Sequence, residues 1–495
     1  MLIFYPNDIR MKTLKKERKA TAPFLRGAGA IGRRKGWAAA IGYRFISLML
    51  MFMLFTSSSC SEDKTNIIDI GQEPEKPVDE NYNPTPFAGV PATEDIVMYE
   101  MNPRLFGSSG AFQKIIERLD GIRDLGVNVL WLMPIHPVGQ VNSVNSPYSV
   151  QDYTKVNPEF GTLDDFRALV DAAHERGMAV IIDWVANHTA WDHPWIENKS
   201  WYSQDEAGNI IIPPDTDWQD VADLNFESIP MKRAMIDAMK YWVINANIDG
   251  FRCDAADFVP FSFWRQAITE LDAIQGRTLI HLAEGIRRDH MDAGFHMVYA
   301  WDFYAALKRV YVDQQTAKHI MDVNNSENAT LPEGKHVLRF TTNHDYSAWE
   351  ATPVTLFGGQ KAALSAFVVT IASDGVPLLY SSQEAGLSGT VSFFNASVVN
   401  WNQNPEVTVM HEKIMTTYNN SAALRKGNTT WQGNSDVWLV IKEYGQEKVA
   451  VIANTRNALS SVELPEGLRN RTLTDELTGE AVGLGQNLEL DNYQY

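Results

Sequence analysis

Short apolar runs alternate with amphipathic stretches along the chain from residue 92 onward. Apolar runs of four to seven residues between turn signals predict buried strands, and apolar residues at helical spacing predict helices. Eight strands are predicted, at 96–99, 127–132, 179–185, 250–254, 279–283, 297–301, 337–341 and 377–380. Helices are predicted between them, among others at 112–125, 163–176, 231–245 and 263–274. This alternation indicates an α/β fold with a parallel sheet, and eight units fit a (β/α)8 TIM barrel better than an open sheet.

Two regions depart from the alternation. Residues 189–230 follow the third strand and are too long and irregular for a simple connection, so we expect an insertion domain over the mouth of the barrel. After residue 424 the chain changes to short β-prone segments separated by turn signals, which predicts a C-terminal antiparallel β-sandwich at 425–495. The barrel itself is then expected at 92–188 and 231–424.

The N-terminal region has the pattern of an export signal. A basic stretch precedes an uncharged apolar run at 45–55, which is too short to span a bilayer but suits the core of a signal peptide. Small residues then precede Cys60, which resembles a bacterial lipoprotein signal with Cys60 as the lipidated residue. We therefore predict a signal peptide at 1–59. An ordinary cleaved signal with an incidental cysteine is the alternative.

Residues 60–91 are rich in Pro, Asp, Glu and Asn without an apolar period, which is typical of a flexible tether. Together with the lipid signal, the tether predicts an outer-membrane lipoprotein attached through its lipid anchor. The segment Ser61 to Lys64 (SEDK), directly after Cys60, resembles the surface-export signal of some Gram-negative lipoproteins, which implies the cell surface rather than the periplasmic face.

Composition limits the partners that we expect. The net charge of −18 disfavours nucleic acid, because Lys and Arg supply most of the affinity for phosphates. Aromatic residues make up 11% of the chain, with 14 Trp, which suits the stacking of sugar rings on aromatic faces. The only other cysteine, Cys253, lies in a predicted strand and is expected to be an inert core residue.

Acidic side chains follow or end four of the predicted strands: Asp183, Asp254, Glu284 and Asp345. Active sites of (β/α)8 barrels lie at the carboxyl ends of the strands, so these four residues are expected to converge on one mouth. Arg252 lies two residues before Asp254 and should point into the same interior. A guanidinium there would favour an ionised Asp254.

The segments that hold these residues carry a resemblance. Asp183 to His188 (DWVANH), Gly250 to Ala255 (GFRCDA), Ala283 to Gly285 (AEG) and Thr342 to Asp345 (TNHD) resemble the four ordered sequence regions of the α-amylase family, glycoside hydrolase family 13. The similarity runs from about residue 95 to 425. It implies a retaining glycoside hydrolase with Asp254 as nucleophile, Glu284 as acid/base and Asp345 as the stabiliser of the transition state.

The resemblance also implies five substrate-binding residues. His188, Arg252 and His344 would position one glucose unit, Tyr148 would stack under it, and Asp152 would support the loop that carries Tyr148. Two adjacent strands can place the two carboxyl groups at the spacing of about 5 Å that retaining enzymes use.

A structural calcium is implied at Asn187 and Asp223, since many members bind one where the insertion meets the barrel, and oxygen ligands suit this ion. No organic cofactor is expected. Phe258 replaces a histidine that binds this calcium through its carbonyl group, which leaves a site open. Asp257 replaces the family's lysine, so the contact of that lysine to the leaving-group side is not expected here.

The substrate implied is an α-glucan, cut at α-1,4 bonds as by an α-amylase. The Ala222 to Asn225 segment is closer to members of mixed linkage preference, so a neopullulanase, an α-1,6-glucosidase or an α-glucan transglycosylase is the alternative. A glucan-binding lipoprotein without catalysis is a third hypothesis. It would have lost a catalytic carboxylate, and none is lost here.

Overall fold

Eight parallel strands close into a barrel in the computed structural model, which describes residues 82–495. The strands are β1 (Met98–Met101), β2 (Val129–Leu132), β3 (Ala179–Val185), β6 (Gly250–Asp254), β7 (Ile280–Ala283), β8 (Met297–Tyr299), β9 (His336–Arg339) and β10 (Val376–Tyr380). Each pairs with the next in this order, and β10 pairs with β1. Almost all strand residues are buried, which explains their continuous apolar character in the sequence. The predicted (β/α)8 fold is confirmed.

Helices surround the barrel and connect its strands. They are α1 (Ala111–Ile116), α2 (Leu119–Asp124), α3 (Leu163–Glu175), α4 (Ile229–Asn245), α5 (Phe261–Asp272), α6 (Asp289–Ala293), α7 (Trp301–Tyr311), α8 (Lys318–Asn328), α9 (His344–Trp349), α10 (Pro353–Leu356), α11 (Gln360–Ala372), α12 (Pro405–Asn420) and α13 (Ala422–Lys426). Single 3-10 turns lie at Thr93–Asp95, Pro103–Phe106, Pro194–Glu197, Lys199–Trp201 and Ala256–Phe258.

The continuous helix predicted at 112–125 is wrong, because the chain breaks between α1 and α2 at Glu117 and Arg118. The guanidinium of Arg118 lies 4.2 Å from the ring centre of Trp401 and 3.5 Å from Glu384, both far along the chain. The break between the two helices coincides with these tertiary contacts, which cannot be predicted from the helix propensity of the local sequence.

The region between β3 and α4 contains a two-stranded antiparallel sheet, β4 (His188–Ala190) with β5 (Val221–Asp223), and two of the 3-10 turns. In this pairing His188 lies opposite Asp223. The insertion therefore returns to the end of β3, where the candidate site begins. The exact domain boundaries stay predictions.

The C-terminal region is antiparallel throughout. Its strands are β11 (Asn428–Trp431), β12 (Val437–Tyr444), β13 (Glu447–Asn454), β14 (Ser460–Glu463), β15 (Thr472–Thr474), β16 (Ala481–Gly483) and β17 (Asn487–Leu490). They form three sheets, β11-β12-β13, β14-β17 and β15-β16. Side chains of the first two share an apolar core that includes Leu439, Val462 and Leu490, as two packed sheets require.

The predicted signal peptide, Cys60 and the first part of the tether lie outside the described residues. Within residues 82–495, no helix is both long and apolar enough to cross a membrane. Cys253 is a free thiol and is buried in β6, in agreement with a core role.

Candidate active site

One buried guanidinium joins three of the predicted carboxyl groups at the carboxyl end of the barrel. Arg252 Nη1 donates to Asp183 Oδ1 at 2.8 Å and to Asp254 Oδ1 at 3.0 Å, and its Nη2 lies 3.0 Å from Glu284 Oε1. All four side chains are at least 96% buried. Three barrel strands, β3, β6 and β7, therefore bring these groups to one point, as the strand-end pattern predicts.

The backbone after β6 fixes Glu284. Ala255 adopts a left-handed conformation with φ of 44°, which is unfavourable for a residue with a Cβ atom. This turn directs the Ala255 N–H to Glu284 Oε2 at 2.7 Å. Strain held next to Asp254 by such contacts is typical of a functional site.

Asp254 Oδ2 is one of three carboxyl oxygens at the site that are buried without a hydrogen-bond partner among the described atoms, with Glu100 Oε2 and Asp345 Oδ1. The other oxygen of Asp254, Oδ1, is bound to Arg252. A buried polar atom without a partner costs free energy, so a ligand is expected to use it. The arrangement leaves one oxygen of Asp254 available to attack.

The buried carboxyl groups of the site outnumber the basic side chains that pair with them. Five carboxyl groups are buried here, and Arg252 is the only Lys or Arg that forms ion pairs with them among residues 82–495. The five are Glu100, Asp183, Asp254, Glu284 and Asp345. Burial and the shortage of cations therefore oppose full ionisation of the five carboxyl groups together.

The directions in which the pKa values of these carboxyl groups shift agree with this charge balance. Burial raises the pKa of Asp183 and that of Asp345 to about 6. Burial, followed by the Glu284 carboxyl, raises the pKa of Asp254 well above its usual range, although Arg252 opposes the rise. The predicted contact between Arg252 and Asp254 is thus present, but its favourable effect on the ionised form does not outweigh burial.

Asp345 reaches the site from the first turn of α9, directly after His344. His344 Nε2 lies 3.4 Å from Asp345 Oδ2 and 2.7 Å from the Tyr148 hydroxyl. The rings of Tyr148 and His344 stack at 5.4 Å. The two predicted sugar-binding residues and Asp345 therefore contact one another, and Tyr148 also contacts Asp183 at 3.3 Å.

Glu100 is the residue that the sequence reasoning missed. It lies on β1, is fully buried, and its Oε1 bonds both Nδ1 and the backbone N–H of His344. Burial lowers the pKa of His344, which favours a neutral ring that donates from Nδ1 to Glu100 and accepts at Nε2 from Tyr148. Glu100 directly follows the predicted strand 96–99, so the strand-end rule would have found it.

Two aromatic residues of the barrel interior were missed as well. Trp131 Nε1 donates to Asp183 Oδ2 at 3.2 Å, and the Tyr299 hydroxyl accepts from Arg252 Nε at 3.1 Å. In the sequence both residues look like ordinary strand residues, since aromatic side chains are common in strands. Only their positions around Arg252 distinguish them.

The other two predicted substrate-binding residues are Asp152 and His188. Asp152 accepts from the backbone and hydroxyl of Thr154 at 2.9 Å and pairs with Lys155 at 3.0 Å, which fits support of its own loop. His188 is buried, with its ring 5.4 Å from that of Trp218. Burial lowers the pKa of His188 to about 4, so its ring is neutral at pH 7.

The residues of the predicted calcium site come together. Leu224 N donates to Asn187 O at 3.1 Å, so Asn187 lies beside the end of β5, where Asp223 is 8% exposed. Burial raises the pKa of Asp223 to about 6, and among residues 82–495 no basic side chain forms an ion pair with it. A cation would offset this desolvation, so the pair fits calcium. The described residues contain no cluster of three or more His, Cys, Asp or Glu for a metal, and further ligands would be amide or carbonyl oxygens.

Comparison with known proteins agrees with this geometry. Residues 82–220 match the family model described as the catalytic domain of alpha-amylase. In this region the chain is similar to the α-amylase family. The match includes Tyr148, Asp183 and His188, and the remaining site residues of the chain follow in or after the barrel strands described above.

Similar proteins carry several names. The chain is 30% identical over 312 residues to the alpha-amylase MalA of Haloarcula japonica, covering 60% of this chain and 45% of the relative. It is 27% identical to the cyclomaltodextrin glucanotransferase of Geobacillus stearothermophilus, covering 76% and 59%. A maltogenic alpha-amylase, AmyB of Thermotoga neapolitana, has a similar structure, with a TM-score of 0.73, 26% identity and coverage of 80% and 97%. The chain thus spans about half the length of these two curated relatives.

Proposed function

We propose that this protein is an α-amylase-type retaining glycoside hydrolase that cleaves α-1,4-glucosidic bonds in starch-like glucans. The observation that carries the proposal is the placement of Asp254 and Glu284 on the two terminal nitrogens of one buried guanidinium. This holds the two carboxyl groups close together, as a mechanism with a covalent intermediate requires.

The reaction follows from the atoms available. Asp254 Oδ2 attacks the anomeric carbon while the bond to the leaving oxygen breaks, and Glu284 transfers its proton to that oxygen. Water then attacks the glycosyl-enzyme, gives its proton to Glu284, and releases Asp254. Because the Glu284 carboxyl raises the pKa of Asp254, two carboxyl groups so placed can hold the single proton that the first step needs.

The excess of buried carboxyl groups has a function in this mechanism. Positive charge develops on the sugar ring in the transition state. Asp183, which shares Arg252 Nη1 with the nucleophile, and Asp345, beside His344, would stabilise this charge. Tyr148 and His344, joined by a hydrogen bond, would form one wall of the pocket for the same glucose unit.

The mechanism is tested by amide variants of both carboxyl residues. Asp254→Asn and Glu284→Gln should each lower activity on a polymer by at least ~100-fold, the low end for loss of acid–base catalysis. With a substrate that has a good leaving group, Glu284→Gln should accumulate the glycosyl-enzyme, visible by mass spectrometry, and Asp254→Asn should not. First release of the β-anomer by the wild-type enzyme would refute a retaining mechanism.

A transglycosylase is the second candidate, because a relative that covers 76% of the chain is a cyclomaltodextrin glucanotransferase. Neopullulanase and α-1,6-glucosidase activities are further options within the same mechanism. Incubation with starch, pullulan, glycogen and cyclodextrin, followed by linkage analysis of the products, distinguishes them. Longer products than the supplied oligosaccharide would establish transfer.

We also propose that Cys60 carries a lipid and attaches the enzyme to the outer membrane, facing the cell surface. The basic leader, the apolar run and the small residues before Cys60 support this. Cys60→Ala, expressed in the native host, should leave the membrane fraction, because stable anchoring needs the attached chains. Unchanged membrane association of the variant would refute the proposal.

A further inference from the structure

A cluster of three aromatic residues lies beside the candidate site and is here called the aromatic ledge: Trp349, Phe393 and Phe394. Phe394 is half-buried and Phe393 is buried. Trp349 ends α9 and is 54% exposed. Its ring lies 6.2 Å from that of Phe393 and 5.7 Å from that of Phe394, and the two phenylalanine rings stack at 4.4 Å. An exposed Trp next to packed aromatic rings is a surface that a sugar ring can cover.

The ledge is continuous with the catalytic centre. The Phe393 ring lies 5.4 Å from the His344 ring and 6.1 Å from that of Tyr148. These are the residues that contact Asp345 and Asp183. Aromatic side chains therefore run without a gap from the nucleophile's neighbours to the protein surface at Trp349.

A buried arginine holds the ledge in place. Arg104 is 2% exposed and donates to the carbonyl oxygens of Phe393 at 2.9 Å, Phe394 at 3.1 Å and Asn145 at 2.8 Å. It also pairs with Glu159 at 3.2 Å. Charge-assisted bonds to three carbonyl groups fix the loops after β2 and β10 against each other, so the ledge is preorganised for a ligand.

The position of the ledge indicates which part of a glucan it would meet. It is built from segments that follow β9 and β10, which lie two and three strands away from β7, the strand that Glu284 follows. Glu284 protonates the leaving oxygen and so faces the reducing-end side of the cut bond. The ledge lies away from it, on the side that receives the non-reducing part of the chain.

We propose that the aromatic ledge is a glucose-binding subsite for the non-reducing part of an α-glucan chain, beyond the unit held by Tyr148 and His344. The proposal rests on the glycosidase function proposed above and adds a preference for longer substrates. Sugar units that stack on Trp349 and Phe394 stabilise both the bound substrate and its transition state. Removing the ledge therefore raises KM more than it lowers kcat.

The test uses an aryl α-glucoside and its longer maltooligosaccharide homologues, in which the aryl leaving group stays constant and only the non-reducing side grows. Trp349→Ala should lower kcat/KM on the long homologues about tenfold, a loss of the size expected for one aromatic contact, and leave the aryl α-glucoside nearly unchanged. Trp349→Phe should keep most of the activity. Tyr444→Ala is the matched control, because Tyr444 is 49% exposed but lies in the C-terminal sheet.

The outcomes separate the two proposals. A wild-type enzyme inactive on every homologue would refute the glycosidase function, whereas an active enzyme whose Trp349→Ala variant shows no dependence on chain length would overturn the ledge. Phe394→Ala provides a second variant if Trp349→Ala does not fold, as judged by circular dichroism. A change of oligomeric state in gel filtration, with kinetics unchanged, would assign the ledge to contact with a second copy and would also overturn the proposal.

Discussion

Replacement of Arg252 by methionine tests how far one guanidinium controls the ionisation of the catalytic group. Arg252 is fully buried and lies within 3.0 Å of the carboxyl oxygens of Asp183, Asp254 and Glu284. Methionine keeps much of the side-chain volume and removes the charge. The variant should retain the barrel but shift the pH at which Asp254 ionises.

The size of the effect can be worked from the distances. Two unit charges 3.0 Å apart interact by about 5.5 kcal/mol at an effective dielectric constant of ~20. One pKa unit corresponds to about 1.4 kcal/mol, so even a quarter of this interaction equals about one unit. Arg252 lowers the pKa of Asp254, and its loss must therefore raise that pKa further. The acidic limb of the activity profile should move at least about one unit toward higher pH.

The assay is kcat/KM against pH on a soluble aryl maltooligosaccharide. The wild-type and Arg252→Met enzymes are compared with Arg339→Met, the matched control. Arg339 is also fully buried and pairs with Glu327 of α8, outside the carboxyl group. Its loss should destabilise the fold but leave the acidic limb in place, because no catalytic carboxyl group contacts it.

An Arg252→Met enzyme of reduced activity whose acidic limb coincides with that of the wild type would refute the electrostatic reasoning. Arg252 would then act by filling space and donating hydrogen bonds alone. Arg252→Lys refines the comparison, since it keeps the charge but cannot reach two carboxyl groups with separate nitrogens. Its acidic limb should lie between those of the other two enzymes.

Three further predictions concern single contacts. Glu100→Leu should lower kcat about tenfold or more with little change in KM, because the Nδ1–H of His344 loses its buried acceptor, while Glu100→Gln, which can still accept, should retain most activity. Asp345→Asn should raise the unfolding temperature at about pH 8 but not at about pH 4, because a carboxyl group whose folded pKa is raised to about 6 contributes stability that is lost as the pH rises through that value. Chelator should lower the unfolding temperature and calcium should restore it, and Asp223→Asn should abolish this response, as measured by scanning fluorimetry.

The barrel could be predicted from the sequence because its strands are buried on both faces and appear as apolar runs. The catalytic carboxyl residues were found for the same reason, since Asp254 and Glu284 are charged residues at the ends of such runs. Arg252 followed from the alternation of side chains in a strand. These features depend on positions a few residues apart, which a sequence displays directly.

The features that were missed depend on contacts between distant segments. The break before α2 accompanies contacts of Arg118 with Glu384 and Trp401, and the aromatic ledge depends on Arg104 holding loops from residues 145 and 393–394. No local pattern relates such residues. They were identified from the structure because only the fold brings them together.

The ionisation of the site also depends on contacts between segments that are distant in the sequence. In the sequence, Asp254 lies two residues after Arg252, which predicts a carboxylate kept ionised by a nearby guanidinium. In the fold, Glu284, Asp183 and the loss of water oppose that effect, and the pKa of Asp254 rises. Ionised carboxyl groups are unfavourable in the empty site and become favourable when positive charge develops on the sugar ring. The site is therefore complementary to the transition state. The substrate's positive charge then supplies the counterion that the protein's own side chains do not.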